Sequence, residues 1–225
     1  ALFMMRIKDL HPIMPVPRVK GQLREGLRYV ASNPLLRDTL IMMAIIGTLS
    51  NEFNVILPLF ARFTFHGDAR TYAALTSAMG FGSVIASLFT ANRKKRSPEM
   101  LVRAIFLFAM SMLILAIAPN FTIALIAMVL VGALSINVVT LGNVMLQLES
   151  APEMRGRVMA LWTVAFLGST PIGGPIIGWI GEYAGPRWGL AAGGFAALFA
   201  AGLGRMRCRR SSLASTLGGT LKKDF

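Results

Sequence analysis

The sequence is poor in cysteine, in acidic residues and in charge as a whole. It has 1 cysteine, 10 acidic residues and a charged fraction of 15% in 225 residues. A single cysteine, Cys208, excludes an intrachain disulfide. Hydrophobic residues make up 55% of the chain and lie in long runs, which excludes an ordinary soluble domain. The composition predicts an integral membrane protein.

Patterns for metal, nucleotide or covalent chemistry are also lacking. His11 and His66 each stand alone, with no second ligand at metal spacing, so neither a metal site nor another cofactor is predicted. The absence of a Gly-x-x-x-x-Gly-Lys-Ser/Thr loop argues against ATP hydrolysis in this chain. Because no nucleophile can be paired with a base, an enzyme is the least favoured class, and an ion gradient is the favoured energy source.

Positive charge is abundant, and it follows the apolar runs. Lys and Arg number 23, and they cluster in residues 1–39, in 92–103, near 155 and after 204. The alternate connections contain only Arg62, Arg70 and Arg187. This is the positive-inside pattern, which places the clusters, and both ends of the membrane domain, in the cytosol. The charge therefore reports topology, with some attraction to the lipid bilayer, and does not indicate a nucleic-acid partner.

The chain contains six apolar runs, and the length of each is close to what a helix needs to cross a bilayer, which is about 20 residues. They cover residues 38–62, 71–92, 99–118, 121–147, 157–180 and 186–204. The pattern predicts an all-α integral membrane fold with a six-helix transmembrane domain at 38–204.

The segments that flank this domain have different compositions. Residues 1–5 resemble the last turn of a preceding transmembrane helix, which predicts that the chain is a fragment. In the basic cytosolic connection 6–37, Leu23, Leu27 and Val30 predict a short amphipathic helix along the membrane interface, and Asn33-Pro34 predicts a helix start. Residues 205–225, which are basic and rich in Ser, Thr and Gly, predict a disordered cytosolic tail.

The stretch from Ala151 to Gly189 has the most specific pattern. It opens with the charged cluster Pro152-Glu153-Met154-Arg155-Gly156-Arg157. An apolar run follows, interrupted by small or helix-breaking residues, which are Gly168, Pro171, Gly173, Gly174, Pro175 and Gly178. In lipid, such residues let helices approach closely. We expect a tightly packed, bent transmembrane helix with the charged cluster where it enters the cytosol.

This stretch resembles the tenth-to-eleventh helix region of major facilitator superfamily exporters, in the branch of enterobactin-type siderophore exporters and macrolide efflux proteins. The matching residues are Pro152, Glu153, Arg155, Gly156, Arg157 and Val158, then Pro171, Gly173 and Gly174. The resemblance implies the C-terminal six-helix bundle of a twelve-helix cell-membrane transporter, with the N-terminal half missing. It implies export of a small amphiphilic compound, a drug or siderophore, in exchange for protons, by alternating access. An uptake symporter of the same fold and a non-transporting scaffold or receptor stay open.

Glu52 is the only acid well inside any of the six runs. A carboxylate there is costly unless it faces protein, water or a partner, so Glu52 is a candidate for proton coupling or substrate contact; a packing role is the alternative. Asn54, Asn143 and Gln147 are the other candidates for the substrate site. Asn143 and Gln147 share a helix face, whereas Asn137 lies on another side, and amides of this kind usually join helices.

Charged residues at the ends of the runs are candidates for a cytosolic gate. Glu153, Arg155 and Arg157 could latch helix ends in one transport state and release them in the other, although a plain anchoring role is the alternative. Arg93 lies in a stretch that resembles a degraded copy of the superfamily's cytosolic Gly-x-x-x-Asp-Arg-x-Gly-Arg-Arg loop. Because Asn92 stands in place of the aspartate, a basic anchor is the favoured interpretation there.

Overall fold

The computed structural model describes residues 22–91 and 97–220, with side chains from Leu23 to Thr90 and from Ser97 to Arg207. Within these residues the fold is built from α-helices and contains no strand, which confirms the all-α prediction. The helices are α1 (Gln22–Ser32), α2 (Pro34–Ile45), α3 (Phe53–Leu59), α4 (Ala69–Ala91), α5 (Pro98–Ala116), α6 (Phe121–Glu149), α7 (Pro152–Phe166), α8 (Thr170–Tyr183) and α9 (Pro186–Thr220).

Six stretches of the described chain are long and apolar enough to cross a membrane, which confirms the six predicted spans. They are Pro34–Thr64, Ala69–Thr90, Pro98–Ala116, Phe121–Glu149, Pro152–Tyr183 and Pro186–Arg207. The first contains α2 and α3, the fifth contains α7 and α8, and each of the others is a single helix. The chain is therefore a multi-pass membrane protein.

Local sequence explains where several helices begin. Asn33 Oδ1 accepts a hydrogen bond from the backbone N–H of Leu35 at 3.0 Å, and Pro34 occupies the first turn. Asn120 caps α6 in the same way, because its Oδ1 accepts the N–H of Ile123 at 2.9 Å. The helix start predicted at Asn33-Pro34 is confirmed.

Glycines bring α4 and α6 into backbone contact. A Cβ atom on Gly82 would overlap the carbonyl oxygen of Val129, and one on Gly132 would overlap that of Met79. The Ser83 hydroxyl also donates to the carbonyl of Gly132 at 3.0 Å. Small residues therefore join the second and fourth spans at close range, as they do in membrane bundles generally.

One end of the bundle, here called the basic end, is where α2, α5 and α7 begin and where α4 and α6 end. The span in α9 also ends there, at Arg207. At the opposite end, the Arg187 guanidinium donates to the carbonyl oxygens of Ala116 at 3.2 Å and Ala118 at 2.8 Å. A cation at these carbonyls suits the negative end of the α5 dipole.

Two boundaries differ from the sequence expectation. The predicted helix at 157–180 is two helices, because the chain turns at residues 167–169, and α7 begins as early as Pro152. The tail was predicted to be disordered from residue 205, but α9 continues to Thr220. Residues 205–220 contain no proline to stop the helix. The predictions for residues 1–21 and 221–225 lie outside the described residues.

The amphipathic helix predicted before the first span is present as α1, and it packs on α7 through a side that contains Val30 but not the two leucines. Val30 is buried, whereas Leu23 and Leu27 are 64% and 50% exposed. Gly26 faces α7 instead, where a Cβ atom would lie 3.3 Å from Cβ of Arg157. The small side of α1 allows this close approach, so helix packing decides which face is buried.

Candidate functional site

Glu52 lies where the first span is interrupted. After α2 the chain passes through a π-helical turn at Ile46–Ser50, leaves the helix at Asn51 and Glu52, and resumes as α3. The Glu52 side chain is buried, and its Oε1 atom has no hydrogen-bond partner among the described residues. The hydroxyl of Thr170, at the start of α8, lies close to the carboxyl. An interrupted helix inside a membrane protein is tolerated where it is buried in protein, and such breaks are common at functional sites.

The glycine pair of α8 forms the surface against which this carboxyl packs. A Cβ atom on Gly173 would lie 3.2 Å from Glu52 Oε1 and would overlap the carbonyl oxygen of Thr48. A Cβ atom on Gly174 would lie 3.6 Å from Glu52 Oε2. The structure therefore brings together two features that the sequence presents far apart, the isolated acid and the Pro-x-Gly-Gly kernel.

The six residues expected to serve helix packing lie in different places. Three glycines of α8 face the first span, and they are Gly173, Gly174 and Gly178, the last with a Cβ position 3.2 Å from Val55. Gly168 lies in the turn between α7 and α8. Pro171 and Pro175 lie on the exposed side of α8, away from the glycine surface.

The interruption at Glu52 is also held by its other neighbours. The Ser50 hydroxyl donates to the carbonyl of Gly193 in α9 at 2.7 Å and is fully buried. A Cβ atom on Gly47 would overlap the carbonyl oxygen of Phe166, the last residue of α7. The breaks in the first and fifth spans therefore lie side by side at a similar depth.

The other substrate-site candidates do not surround Glu52. Asn54 lies on the exposed side of α3. The Gln147 side-chain amide donates to Asn143 Oδ1, as their four-residue spacing predicts. The adjacent Gly142 packs against Met43, which precedes Glu52 by roughly 13 Å of helix rise. Asn143 and Gln147 therefore lie nearer the basic end than Glu52 does.

The predicted gate residues lie in the first turns of α7 and not in a loop, because Pro152 starts the helix there. Arg155 Nε donates to the backbone carbonyl of Gln147 at 3.0 Å. Arg157 pairs with Glu25 of α1, with 2.6 Å between Nη1 and Oε1. Glu153 is exposed and takes part in neither contact. The two arginines thus attach α7 to α6 and α1.

A second ion pair at the basic end was not predicted. Arg207 in α9 donates from Nη1 to Asp38 Oδ1 in α2, and Arg37 Nε lies 3.2 Å from the same oxygen. The sequence signal was available, because Asp38 is an acid beside a predicted span with basic clusters nearby. The partner of Asp38 could not be predicted from the sequence, because the pairing depends on how the sixth span packs on the first.

Two further buried polar atoms lack a partner among the described residues. They are Asn137 Oδ1 in α6 and Trp162 Nε1 in α7. The Trp162 ring stacks on Phe166 with centroids 5.4 Å apart and an interplanar angle of 5°. Because Asn137 Oδ1 has no partner among the described residues, it does not make the interhelical hydrogen bond that the sequence favours for such an amide.

Comparison with known proteins decides the family. The family model described as transmembrane secretion effector matches residues 1–217, nearly the whole chain. The chain belongs to this family of the major facilitator superfamily.

Curated relatives agree with the family assignment. The enterobactin exporter EntS of Salmonella choleraesuis (strain SC-B67) is 25% identical over 189 residues, covering 82% of this chain and 45% of the relative. Those of Citrobacter koseri and of Escherichia coli O1:K1 are each 24% identical, over 189 and 192 residues. The chain spans 45% of the length of these relatives.

The remaining gate candidate from the sequence is Arg93. Arg93 lies outside the described residues, so its part in a gate stays a prediction.

Proposed function

We propose that the chain is the C-terminal half of a secondary transporter that exports a small amphiphilic compound in exchange for protons. The family membership and the exporter relatives support transport as the activity. In this proposal the missing N-terminal half supplies the other wall of the cavity. The protein lies in the cell (inner) membrane with the basic end in the cytosol, as the distribution of Lys and Arg favours.

The buried carboxyl of Glu52 is the observation that carries the proposal for proton coupling. A neutral carboxyl is tolerated at a buried site without a partner, whereas an ionised carboxylate needs water, a cation or hydrogen-bond donors. In the packed arrangement, Gly173 and Gly174 cover the carboxyl and offer it no side-chain donor, and the neighbouring Thr170 supplies only one hydroxyl. Loss of the proton therefore favours separation of α8 from the interruption, and proton uptake favours the packed arrangement.

This coupling links protonation to the shape of the bundle. A ligand or proton shifts a conformational equilibrium only if it binds one state better than the other. The proton meets that condition at Glu52, because the packed state buries the carboxyl beside a single neighbouring hydroxyl, that of Thr170, and so disfavours the charged form. Movement at the interruption would reach α7 through Gly47, which packs on Phe166 at the end of α7, and the contacts of Arg155 and Arg157 at the basic end would then open and close as the gate. We propose Arg93 as a basic anchor at the same end.

Polar groups near the breaks suit a substrate that has both polar and apolar parts. The unpaired atoms of Asn137 and Trp162 become available to a ligand if the spans separate. Asn143 and Gln147 supply further amides nearer the basic end, and Asn54 lies on a surface that a second bundle could cover. An amphiphile such as a drug or siderophore can use these few polar groups within apolar walls.

The test is proton-driven efflux by the complete gene product in intact cells. Cells that express the wild type are loaded with a panel of fluorescent amphiphiles, and accumulation is measured before and after the proton gradient is dissipated. We expect dissipation to raise accumulation in wild-type cells, whereas cells with Glu52→Gln accumulate dye in either condition. Glu182→Gln is the matched control, because it makes the same chemical change at an exposed acid.

Membrane levels of all three proteins are compared by quantitative immunoblotting, so that a loss of insertion is recognised. Normal efflux by Glu52→Gln would refute proton coupling through this residue. Proton-dependent accumulation inside the cell would favour the uptake symporter. If accumulation of no compound depends on the wild-type protein, and cells with Glu52→Ala behave as wild-type cells do, the result would favour a scaffold or receptor.

A further inference from the structure

A groove between α5 and α9, on the side of the bundle, is separate from the site around Glu52. Its volume is about 620 Å³, which is within the range of about 300–1,000 Å³ that ligand pockets occupy. Phe106, Leu107 and Leu198 form apolar walls. Gly202 lines the groove, and a Cβ atom there would meet no other atom within 4 Å.

Two arginines lie at the same level on opposite walls of the groove. Gly204 of α9 packs on Val102 of α5, with 2.7 Å between the added Cβ position and Val102 Cγ2. The next residue on each helix is an arginine, Arg103 on α5 and Arg205 on α9, and both line the groove. Both are exposed, and neither takes part in the ion pairs found among the described residues.

The charged residues that line the groove, Arg103 and Arg205, are both positive. Among the residues whose side chains are described, no acid lines it. The closest acid along α5 is Glu99, one turn nearer the basic end and outside the lining. On α9 the cation that follows, Arg207, is already bonded to Asp38. The groove therefore offers two available guanidinium groups above apolar walls.

We propose that this groove binds an anionic phospholipid of the surrounding bilayer. Guanidinium groups hold phosphate oxygens through paired, charge-assisted hydrogen bonds, and basic pockets between transmembrane helices on the cytosolic side suit anionic head groups. Arg103 lies roughly 7 Å of helix rise beyond Pro98, so its stem follows the groove while its charged end reaches the head-group level. An acyl chain then lies against Phe106, Leu107 and Leu198.

The experiment uses the complete protein, purified in detergent and mixed with either phosphatidylglycerol or phosphatidylcholine. Native mass spectrometry measures how much of each lipid is retained. We expect the wild type to retain more phosphatidylglycerol than phosphatidylcholine, and Arg103→Ala/Arg205→Ala to lose that preference. Arg62→Ala/Arg70→Ala is the matched control, because it removes two exposed arginines outside the groove and should keep the preference.

Gly202→Leu tests the apolar part of the groove separately. The open space beside Gly202 accommodates the added side chain without a clash at Cβ, so the variant should fold while the groove is filled. We expect it to retain less of both lipids. The proposal is wrong if the wild type shows no preference, if the control loses as much as the groove variant, or if Gly202→Leu binds lipid as the wild type does. If Arg103→Ala/Arg205→Ala does not stay monodisperse in detergent, the amount of lipid that Gly202→Leu retains becomes the deciding measurement.

Discussion

At the scale of single residues, glycine decides whether the buried acid can be accommodated. Gly173 touches both the Thr48 carbonyl and the Glu52 carboxyl, so even a methyl group has no room there. Gly80 in α4 is the opposite case, because a Cβ atom at Gly80 would meet nothing within 4 Å. The same residue type therefore serves packing at one position and leaves open surface at another.

Gly173→Ala should destabilise the protein, because the added methyl group overlaps backbone that cannot move freely. Overpacking of this kind typically costs about 1–3 kcal/mol. Gly80→Ala should be neutral or slightly stabilising, because alanine favours a helix by up to about 1 kcal/mol over glycine. Thermal unfolding of the complete protein in detergent compares the two variants. Equal midpoints would show that α8 does not pack on the first span as described.

How much of the site could be predicted from the sequence depends on which contacts are local. Glu52 stands out because no other acid lies deep in an apolar run. The contact of Asn143 with Gln147 follows from helical spacing. The packing of Gly173 on Glu52 and the pairing of Asp38 with Arg207 join distant spans. Neither follows from spacing along the chain, so both required the three-dimensional arrangement.

At the scale of helices, hydrophobic periodicity predicts that α1 forms but does not predict which face it buries. Leu23 and Leu27 remain exposed because the side of α1 that contains Gly26 and Val30 packs on α7. The hydroxyl of Tyr29 accepts the backbone N–H of Ala151 at 3.0 Å and fixes the same contact. A small residue and a hydrogen bond thus outweigh two leucines that the membrane surface can cover.

Gly26→Leu should detach α1 from α7, since its side chain would meet Arg157 and Leu161 at close range. Ala31→Leu, on the exposed side of α1, is the matched control. Limited trypsin digestion of the complete protein in detergent reports cleavage within α1, which contains Arg24 and Arg28. We expect Gly26→Leu to be cut severalfold faster than the wild type and the control to be unchanged. Identical rates for both variants would contradict the described docking.

At the scale of the whole molecule, several spans present large apolar side chains that the described chain leaves exposed, and α4 and α8 are examples. Those of α4 include Phe81, Val84, Leu88 and Phe89, and those of α8 include Ile172, Ile176, Trp179 and Tyr183. Lipid can cover such faces, and so can a second bundle. Since the chain spans 45% of its relatives, we expect a second bundle to cover part of them.

Under this proposal the chain alone should insert but not transport, because its half of the cavity has no opposite wall. Expression of residues 1–225 is compared with expression of the complete gene in the efflux assay, at matched membrane levels. We expect efflux only from the complete gene. Comparable efflux from residues 1–225 alone would show that one bundle suffices, through self-association or otherwise, and would remove the need for an N-terminal half.

The neighbouring breaks in the first and fifth spans also determine how bending stiffness is distributed in the bundle. Four spans are single helices, whereas the interruption at Glu52 and the turn at 167–169 lack a continuous ladder of backbone hydrogen bonds. Because α3 and α8 pack against each other beyond these points, the two outer half-spans share one compliant joint. While α3 and α8 are packed together, a load applied at either half-span would deflect both, and the four unbroken helices act as the rigid frame.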